Sequence, residues 1–189
     1  LATDLSPVFH SLTNCAVELK EIGTKEIDLV TVVNINALGN LQYVGELADN
    51  MQADYIEALK KEGKRIKEKG FSTSYKAPVG IPHKEICEIA EENGDDLIVI
   101  GSRGESRIRR IFLGSTVSNV VRLSKVPVLI ERVELAQYLN KESYKQVCKK
   151  KFNSLLLATD FSDNSREAEK VTLQLAPHAD KIIIVTVAE

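Results

Sequence analysis

The first part of the chain shows two patterns of apolar residues, one after the other. After Pro7, apolar residues recur at three- to four-residue spacing, at Leu12, Cys15 and Leu19, which predicts a helix with one buried face. The segment 27–33 is then almost continuously apolar, as is typical of a strand covered on both sides. A helix with one buried face followed by a strand buried on both sides predicts an α/β protein with a parallel sheet.

The same alternation continues to about residue 133. The pattern predicts helix 42–69, strand 72–79, helix 82–94, strand 97–100, helix 115–124 and strand 126–133. The buried face of the long helix is assigned to Val44, Leu47, Met51, Tyr55, Leu59 and Ile66. Strands and helices in this order predict a right-handed, doubly wound fold, in which ligands bind outside the carboxyl ends of the strands.

An internal repeat divides the chain. Residues 1–6 read LATDLS and residues 157–162 read LATDFS, while LVTV at 29–32 matches IVTV at 184–187. We therefore expect a domain at 1–135, a linker at 136–152, and at 153–189 the β-α-β opening of a second copy. The comparison of the two copies also predicts that about five residues of the first strand are missing at the N-terminus.

Charge and hydropathy reduce the number of partner classes that the chain is expected to have. The chain has 189 residues, 25 Lys and Arg against 27 Asp and Glu, and a net charge of −2. No global basic field is present to attract nucleic acid, and no apolar run approaches the ~20 residues that span a bilayer. The start of the chain carries no pattern of a secretory signal. These features predict a cytoplasmic protein without nucleic-acid or membrane partners.

The thiols indicate neither disulfides nor a metal site. Cys15, Cys87 and Cys148 are odd in number and far apart, so we expect reduced, structural cysteines. His83 and Cys87 are four residues apart on one predicted helix and offer two metal ligands, but the sequence supplies no further pair. No metal site is predicted.

Glycines mark the candidate ligand site, in two segments with nine residues between them: Gly101-Ser102-Arg103-Gly104 and Gly114-Ser115-Thr116. Glycine lets the backbone come close to a ligand, and the second segment opens a helix whose free N–H groups suit phosphate oxygens. Glycines that serve only chain reversal are the alternative. The established dinucleotide, phosphate-loop and hydrolase-elbow motifs are absent from the sequence.

These glycines carry a family resemblance. The spacing G-x2-G-x9-G-[ST], with an apolar strand before it and VSNVV (117–121) and VPVL (126–129) after it, resembles the ATP-binding branch of the universal stress protein family. The resemblance covers residues 1 to about 133, and 153–189 resembles the start of a second such domain. It implies an adenine nucleotide alpha-hydrolase-like fold with a five-stranded parallel sheet of order 3-2-1-4-5.

The resemblance also implies a ligand and its contacts. The ligand is ATP, or AMP or ADP, with Mg²⁺ as a candidate companion of the phosphates. The binding residues it implies are Asp4 and Val32 for the adenosine, Gly101, Arg103 and Gly104 for the ribose and phosphates, and Gly114, Ser115 and Thr116 for the terminal phosphates. It implies no catalytic residue.

Three functions remain open at this point. The preferred one is a nucleotide-dependent regulatory module, because the glycine segments contain no His or Lys that could act as a base. The others are an enzyme that hydrolyses ATP or transfers its phosphate or adenylyl group, and an ATP-free dimerising scaffold. The resemblance implies a homodimer, or pairing of the tandem halves, through strand 126–133.

Overall fold

The computed structural model describes residues 1–7, 9–38, 44–102, 113–138, 141–146 and 150–187. The helices are α1 (Phe9–Glu18, continued by a 3₁₀ turn at Leu19–Ile22), α2 (Ile35–Leu38), α3 (Val44–Glu68), α4 (Pro82–Asn93), α5 (Ser115–Leu123) and α6 (Arg166–Leu175). The strands are β1 (Glu26–Val30), β2 (Val33–Asn34), β3 (Ser72–Lys76), β4 (Val79–Gly80), β5 (Ile98–Gly101), β6 (Val128–Glu131), β7 (Val133–Tyr138), β8 (Lys141–Gln146), β9 (Ser154–Ala158) and β10 (Lys181–Val185).

Most strands pair in parallel, as the continuous apolar runs predict. β1 pairs with β3, β5 with β6, β2 with β4, and β9 with β10, all in parallel register. Ala2, in the first strand segment, forms parallel bridges to Val30 of β1 and Ile100 of β5, and so lies between those strands. The predicted α/β class with parallel strands is confirmed.

Helices cover both faces of this sheet. One core cluster joins alternate strand residues such as Val30, Ile98 and Ile100 to α4 and α5. The other cluster joins Leu29 and Val99 to α1 and α3. Because successive residues of a strand point to opposite faces, neighbours such as Leu29 and Val30 enter different clusters. The double cover explains why these strands are apolar without alternation.

One predicted core position of the long helix is wrong. Leu47 is 39% exposed, whereas Ala48 is buried and packs with Val33. Successive residues are about 100° apart around a helix, and at this point the buried side of α3 runs through Ala48 rather than Leu47. Leu59 and Ile66, farther along the same helix, are buried as predicted.

The segment after β6 contains the one antiparallel pair in the described part of the chain. β7 and β8 form a hairpin in which Val133 is opposite Gln146 and Tyr138 is opposite Lys141. The sequence predicts a linker at 136–152, and the hairpin occupies its first part. Among the described residues, no helix has the length and apolarity to cross a membrane.

Candidate functional site

A tight turn positions Asp4, two residues after Ala2, whose bridges place the N-terminal strand segment between β1 and β5. The Leu5 N–H donates to Oγ1 of Thr3, and the Ser6 N–H donates to Oδ1 of Asp4, each at 3.0 Å. Leu5 has φ of 59°, a left-handed conformation that leucine rarely adopts. The two side-chain hydrogen bonds hold the backbone in this turn. As a result, the chain reverses direction at Asp4, at the carboxyl end of its strand.

Val32 lies between β1 and β2, also at the carboxyl end of a strand. The N–H groups of Thr31 and Val33 donate to carbonyls of the neighbouring β3–β4 segment, at 3.1 and 2.8 Å. Alternate residues of a parallel strand turn their backbone groups to opposite neighbours. The Val32 N–H and C=O therefore face the other way, beyond the end of the first strand, and the described residues supply no backbone partner for them.

Backbone hydrogen bonds connect the two glycine segments. Ser102, which follows Gly101, donates its N–H to the Glu131 carbonyl at 2.8 Å, and its own carbonyl accepts the Gly114 N–H at 3.3 Å. The Gly114 carbonyl in turn accepts the Ser118 N–H at 3.0 Å, which begins α5. The first N–H groups of this helix, at its positive end, have no partner within the helix.

The described residues leave space beside Gly114. Among them, only the Ser102 carbonyl oxygen, at 4.0 Å, comes close to the position that a Cβ atom would take there. Its φ is an ordinary −59°, so the backbone there does not need glycine. Within the described part of the chain, the helix start therefore has space for a side chain or a ligand atom, and the turn itself does not require glycine.

These segments surround a single cleft of about 400 Å³, within the size range of small-molecule sites. Six of the eight predicted binding residues line it: Asp4, Val32, Gly101, Gly114, Ser115 and Thr116. The other two, Arg103 and Gly104, lie outside the described residues. The tertiary structure thus brings together positions that are more than one hundred residues apart in sequence.

Several lining residues were not predicted as ligand contacts. These are chiefly Thr31, Asn34, Tyr55, Pro82 and Ile86. Asn34 ends β2 at the carboxyl side of the sheet, and this position was the available signal for it. Tyr55 was predicted as a core residue, and Pro82 as the start of a helix. A residue that closes a cleft from a neighbouring helix has no distinctive spacing in the sequence.

Positive potential in the described lining comes from backbone rather than side chains. Asp4 is the only charged side chain among the described lining residues. In the first turn of α4, beside the lining residues Pro82 and Ile86, burial raises the pKa of Glu85, and Glu88 and Glu92 raise it further. In this part of the structure, an anion would therefore be attracted chiefly to the N–H groups that begin α5.

Comparison with known proteins gives the family. The model of the universal stress protein family matches residues 1–132. A universal stress protein of Methanocaldococcus jannaschii is 35% identical over 89 residues, which are 47% of this chain and 55% of that protein. YxiE of Bacillus subtilis, another universal stress protein, is 30% identical over 142 residues, covering 70% of this chain and 96% of the relative.

Solved structures agree with this assignment. A universal stress protein from Archaeoglobus fulgidus matches 100% of this chain and 66% of its own, with a TM-score of 0.75 and 28% identity. A second structure, of the Methanocaldococcus jannaschii protein, gives a TM-score of 0.65 at 28% identity over 71% of this chain and 94% of its own. The chain spans 55% and 59% of the length of two curated relatives from that organism. With a family model covering well over half of its residues, the chain belongs to the universal stress protein family.

Proposed function

We propose that the cleft binds an adenine nucleotide, ATP or its products ADP and AMP, and that the protein acts as a nucleotide-dependent regulatory module in a stress response. The observation that carries this proposal is the convergence of four separated stretches of chain on one cleft at the carboxyl ends of parallel strands. Doubly wound sheets bind their ligands at this edge. The resemblance of the glycine spacing to ATP-binding family members supports the same ligand.

The end of the cleft near Val32 suits the adenine ring. The Val32 backbone offers a donor and an acceptor side by side, which complements the edge of adenine. Pro82 and Ile86 supply apolar surface nearby. Asp4, at the end of the first strand, is the proposed partner of the adenosine portion, and its carboxylate can accept hydrogen bonds from ribose hydroxyls.

The end of the cleft near Gly114 suits phosphate oxygens. The helix start offers backbone N–H groups, and the exposed hydroxyl of Ser115 and the half-buried one of Thr116 add two donors. Arg103 and Gly104 remain predicted contacts. Mg²⁺ would be held mainly by phosphate oxygens and water, as this ion commonly is in nucleotide sites. The metal would supply neutralisation of phosphate charge.

The proposed role is binding rather than turnover. The described lining contains no His, Lys or Cys to serve as base or nucleophile near the phosphate end. Incubation with excess ATP and Mg²⁺ should therefore give fewer than one ADP per protein molecule over an hour. Many turnovers, abolished by Ser115→Ala in a folded protein, would instead establish an enzyme.

Nucleotide binding itself is tested by filling the phosphate end. We expect Gly114→Leu to lower ATP affinity at least 100-fold in calorimetry, because the side chain enters space that the fold leaves open. Gly45→Leu is the matched control, since Gly45 is exposed on α3 and no described residue lies within 4 Å of the position its Cβ would take. Circular dichroism checks that both variants fold. Equal ATP affinity for Gly114→Leu and the unmodified protein would refute the site.

The strand order 3-2-1-4-5 forms a further part of the proposal; here strand 1 is the N-terminal segment at Ala2, and strands 2, 3, 4 and 5 are β1, β3, β5 and β6. The pairings β3 with β1 and β5 with β6, joined through the two bridges of Ala2, are the observations that support it. The first strand then has the central place between β1 and β5. This order puts the turn at Asp4 beside the switch point where doubly wound sheets bind ligands.

We also propose that 153–189 opens a second unit of the same fold. The turn described for residues 3–6 recurs there: the Phe161 N–H donates to Oγ1 of Thr159 at 3.0 Å and the Ser162 N–H to Oδ1 of Asp160 at 2.9 Å. Phe161 has φ of 60°, the same rare conformation as its counterpart. The likeness to the Archaeoglobus fulgidus protein over the whole of this chain supports two units.

Assembly and location complete the proposal. Strand β6 is paired with β5 alone among the described strands, so its other edge is the proposed contact in a homodimer or between tandem units. A cytoplasmic location remains the prediction from the sequence. Sedimentation at two protein concentrations tests the dimer, and Val128→Pro, which removes a donor from β6, should weaken it.

A further inference from the structure

A buried ion-pair cluster joins the two units. Lys151, just before the second unit, places its Nζ 2.9 Å from Oε2 of Glu18 on α1 and 3.0 Å from Oε1 of Glu131 at the end of β6. The side chains of Lys151 and Glu131 are 7% and 4% exposed, and that of Glu18 is 21% exposed. The following residue, Phe152, is buried in the core cluster of α1 and α3. The junction is therefore fixed to the first unit by charge and by packing.

The ammonium group of Lys151 is the counter-charge 3.0 Å from the buried Glu131 carboxylate. Burial opposes the charge of Lys151, but its contacts with Glu18 and Glu131 prevail and raise its pKa. Oε1 of Glu131 has no well-aligned hydrogen bond among the described residues, so the ion pair is its principal compensation. Removal of the Lys151 charge would take this counter-charge from the buried Glu131 carboxylate, and breaking a buried ion pair from one side is strongly destabilising.

The backbone of Glu131 is hydrogen-bonded to Ser102, which follows the cleft residue Gly101. Glu131 is opposite Gly101 in the β5–β6 register, and its carbonyl accepts the Ser102 N–H at 2.8 Å. The Ser102 carbonyl accepts the Gly114 N–H at 3.3 Å. A continuous series of contacts thus runs from Lys151 through Glu131 and Ser102 to Gly114, at the phosphate end of the cleft.

We propose that Lys151 is a positioning residue that couples the seating of the second unit to the geometry of the nucleotide cleft. When Lys151 is seated, it fixes Glu131 and, through it, the backbone that faces the phosphates. Withdrawal of the junction releases Glu131 and loosens Ser102 and Gly114. Because coupling between two sites is reciprocal, nucleotide binding also strengthens the seating of the second unit. The effect on affinity rests on the proposed nucleotide function; the effect on the backbone does not.

Hydrogen exchange of the full chain tests the coupling directly. In Lys151→Met, we expect exchange at the Ser102 and Gly114 amides to rise at least tenfold more than at core amides such as Leu29 and Val99. Lys150→Met is the matched control, since Lys150 is exposed and adjacent in sequence, and it should change neither set. No selective rise at Ser102 and Gly114, or an equal rise in the core, would overturn the proposal.

Calorimetry then measures the consequence for the ligand. ATP affinity should fall about tenfold in Lys151→Met and stay unchanged in Lys150→Met. If the unmodified protein binds no ATP, the proposed function fails, and the exchange experiment alone decides the coupling. Should Lys151→Met fail to fold, Glu18→Gln removes one of the two charge partners, and it is expected to give a smaller selective rise at the same two amides. If Glu18→Gln gives no selective rise in exchange at Ser102 and Gly114, the proposal is equally overturned.

Discussion

Cys15 illustrates how a single residue is governed by its surroundings. Its thiol is fully buried next to the cluster of Lys151 and Glu131. Burial, and then the nearby Glu131 carboxylate, raises its pKa to about 12. The reactive form of cysteine is the thiolate, so this side chain should be inert at neutral pH.

We predict that Cys15 resists alkylation. With a pKa near 12 rather than the ordinary 9.0, its thiolate fraction at pH 8 is about a thousandfold lower. Iodoacetamide at pH 8, followed by peptide mass spectrometry, should leave Cys15 unlabelled in the folded protein and label it fully in urea. Rapid labelling in the folded state would contradict the burial of the thiol.

Because of the same cluster, the stability of the protein should depend on pH in the alkaline range. The pKa of Lys151 is higher in the folded protein than its ordinary 10.5, so its contribution to stability is complete below that pH and is lost as the pH rises through the higher folded value. Lys151→Met, which has no such group, should lose less stability than the unmodified protein between pH 10 and 12. Thermal unfolding of both proteins across this range measures the difference.

At the scale of elements, α3 shows how rotation about a helix axis decides burial. Leu59 has no exposed surface and joins the core cluster with β1, whereas Leu47, three turns earlier, is 39% exposed. Both residues are leucines on one helix, so their comparison isolates the effect of position.

We expect Leu59→Ala to lower the free energy of unfolding by about 2–5 kcal/mol, because it removes buried apolar surface and leaves a cavity. Leu47→Ala should cost less than about 1 kcal/mol, as is usual for partly exposed sites. Urea unfolding followed by circular dichroism provides both values. Similar losses for the two variants would mean that the helix is rotated from the position described.

At the scale of the whole molecule, the β9–β10 pair carries exposed apolar residues. In β10, every residue is exposed, including Ile184 at 62%, whereas the corresponding Leu29 of β1 has no exposed surface. On the neighbouring strand, Leu156 is 67% exposed. Leu29 packs with residues of α1 and α3, and β1 also pairs with β3, whereas β10 pairs with β9 alone among the described strands. A contiguous apolar surface of this kind favours association with other apolar groups.

This surface should bind a hydrophobic dye in the native state. We predict that the chain enhances anilinonaphthalene sulfonate fluorescence and that Leu156→Gln with Ile184→Gln removes at least half of the increase. Leu123→Gln is the control, because Leu123 is similarly exposed but lies on helix α5. Unchanged fluorescence in the double variant would show that β9 and β10 are covered in solution.

Features that depend on interactions between residues close in sequence are predicted well, whereas features that depend on distant contacts are not. Periodicity located α4 and β5 closely, because capping and burial of those segments are local properties: Pro82 begins α4, and Gly94 follows it in the left-handed conformation. The face of the long helix was misjudged at Leu47 because the pattern there admits either of two adjacent residues. The β7–β8 hairpin is not predicted because β8 (KESYKQ) is predominantly polar and no Gly or Pro separates it from β7 in the sequence.

By itself, the sequence determined the α/β class, the repeat, and the glycine segments that belong together, since each depends on residue type and spacing along the chain. Only the tertiary structure decided that Asn34, Tyr55 and Ile86 close the cleft, and that Lys151 meets Glu18 and Glu131. Contacts between elements are set by how whole faces pack in three dimensions. From the sequence alone, Lys151 is expected to be a solvated linker charge, and only the fold shows that it is buried between two carboxylates.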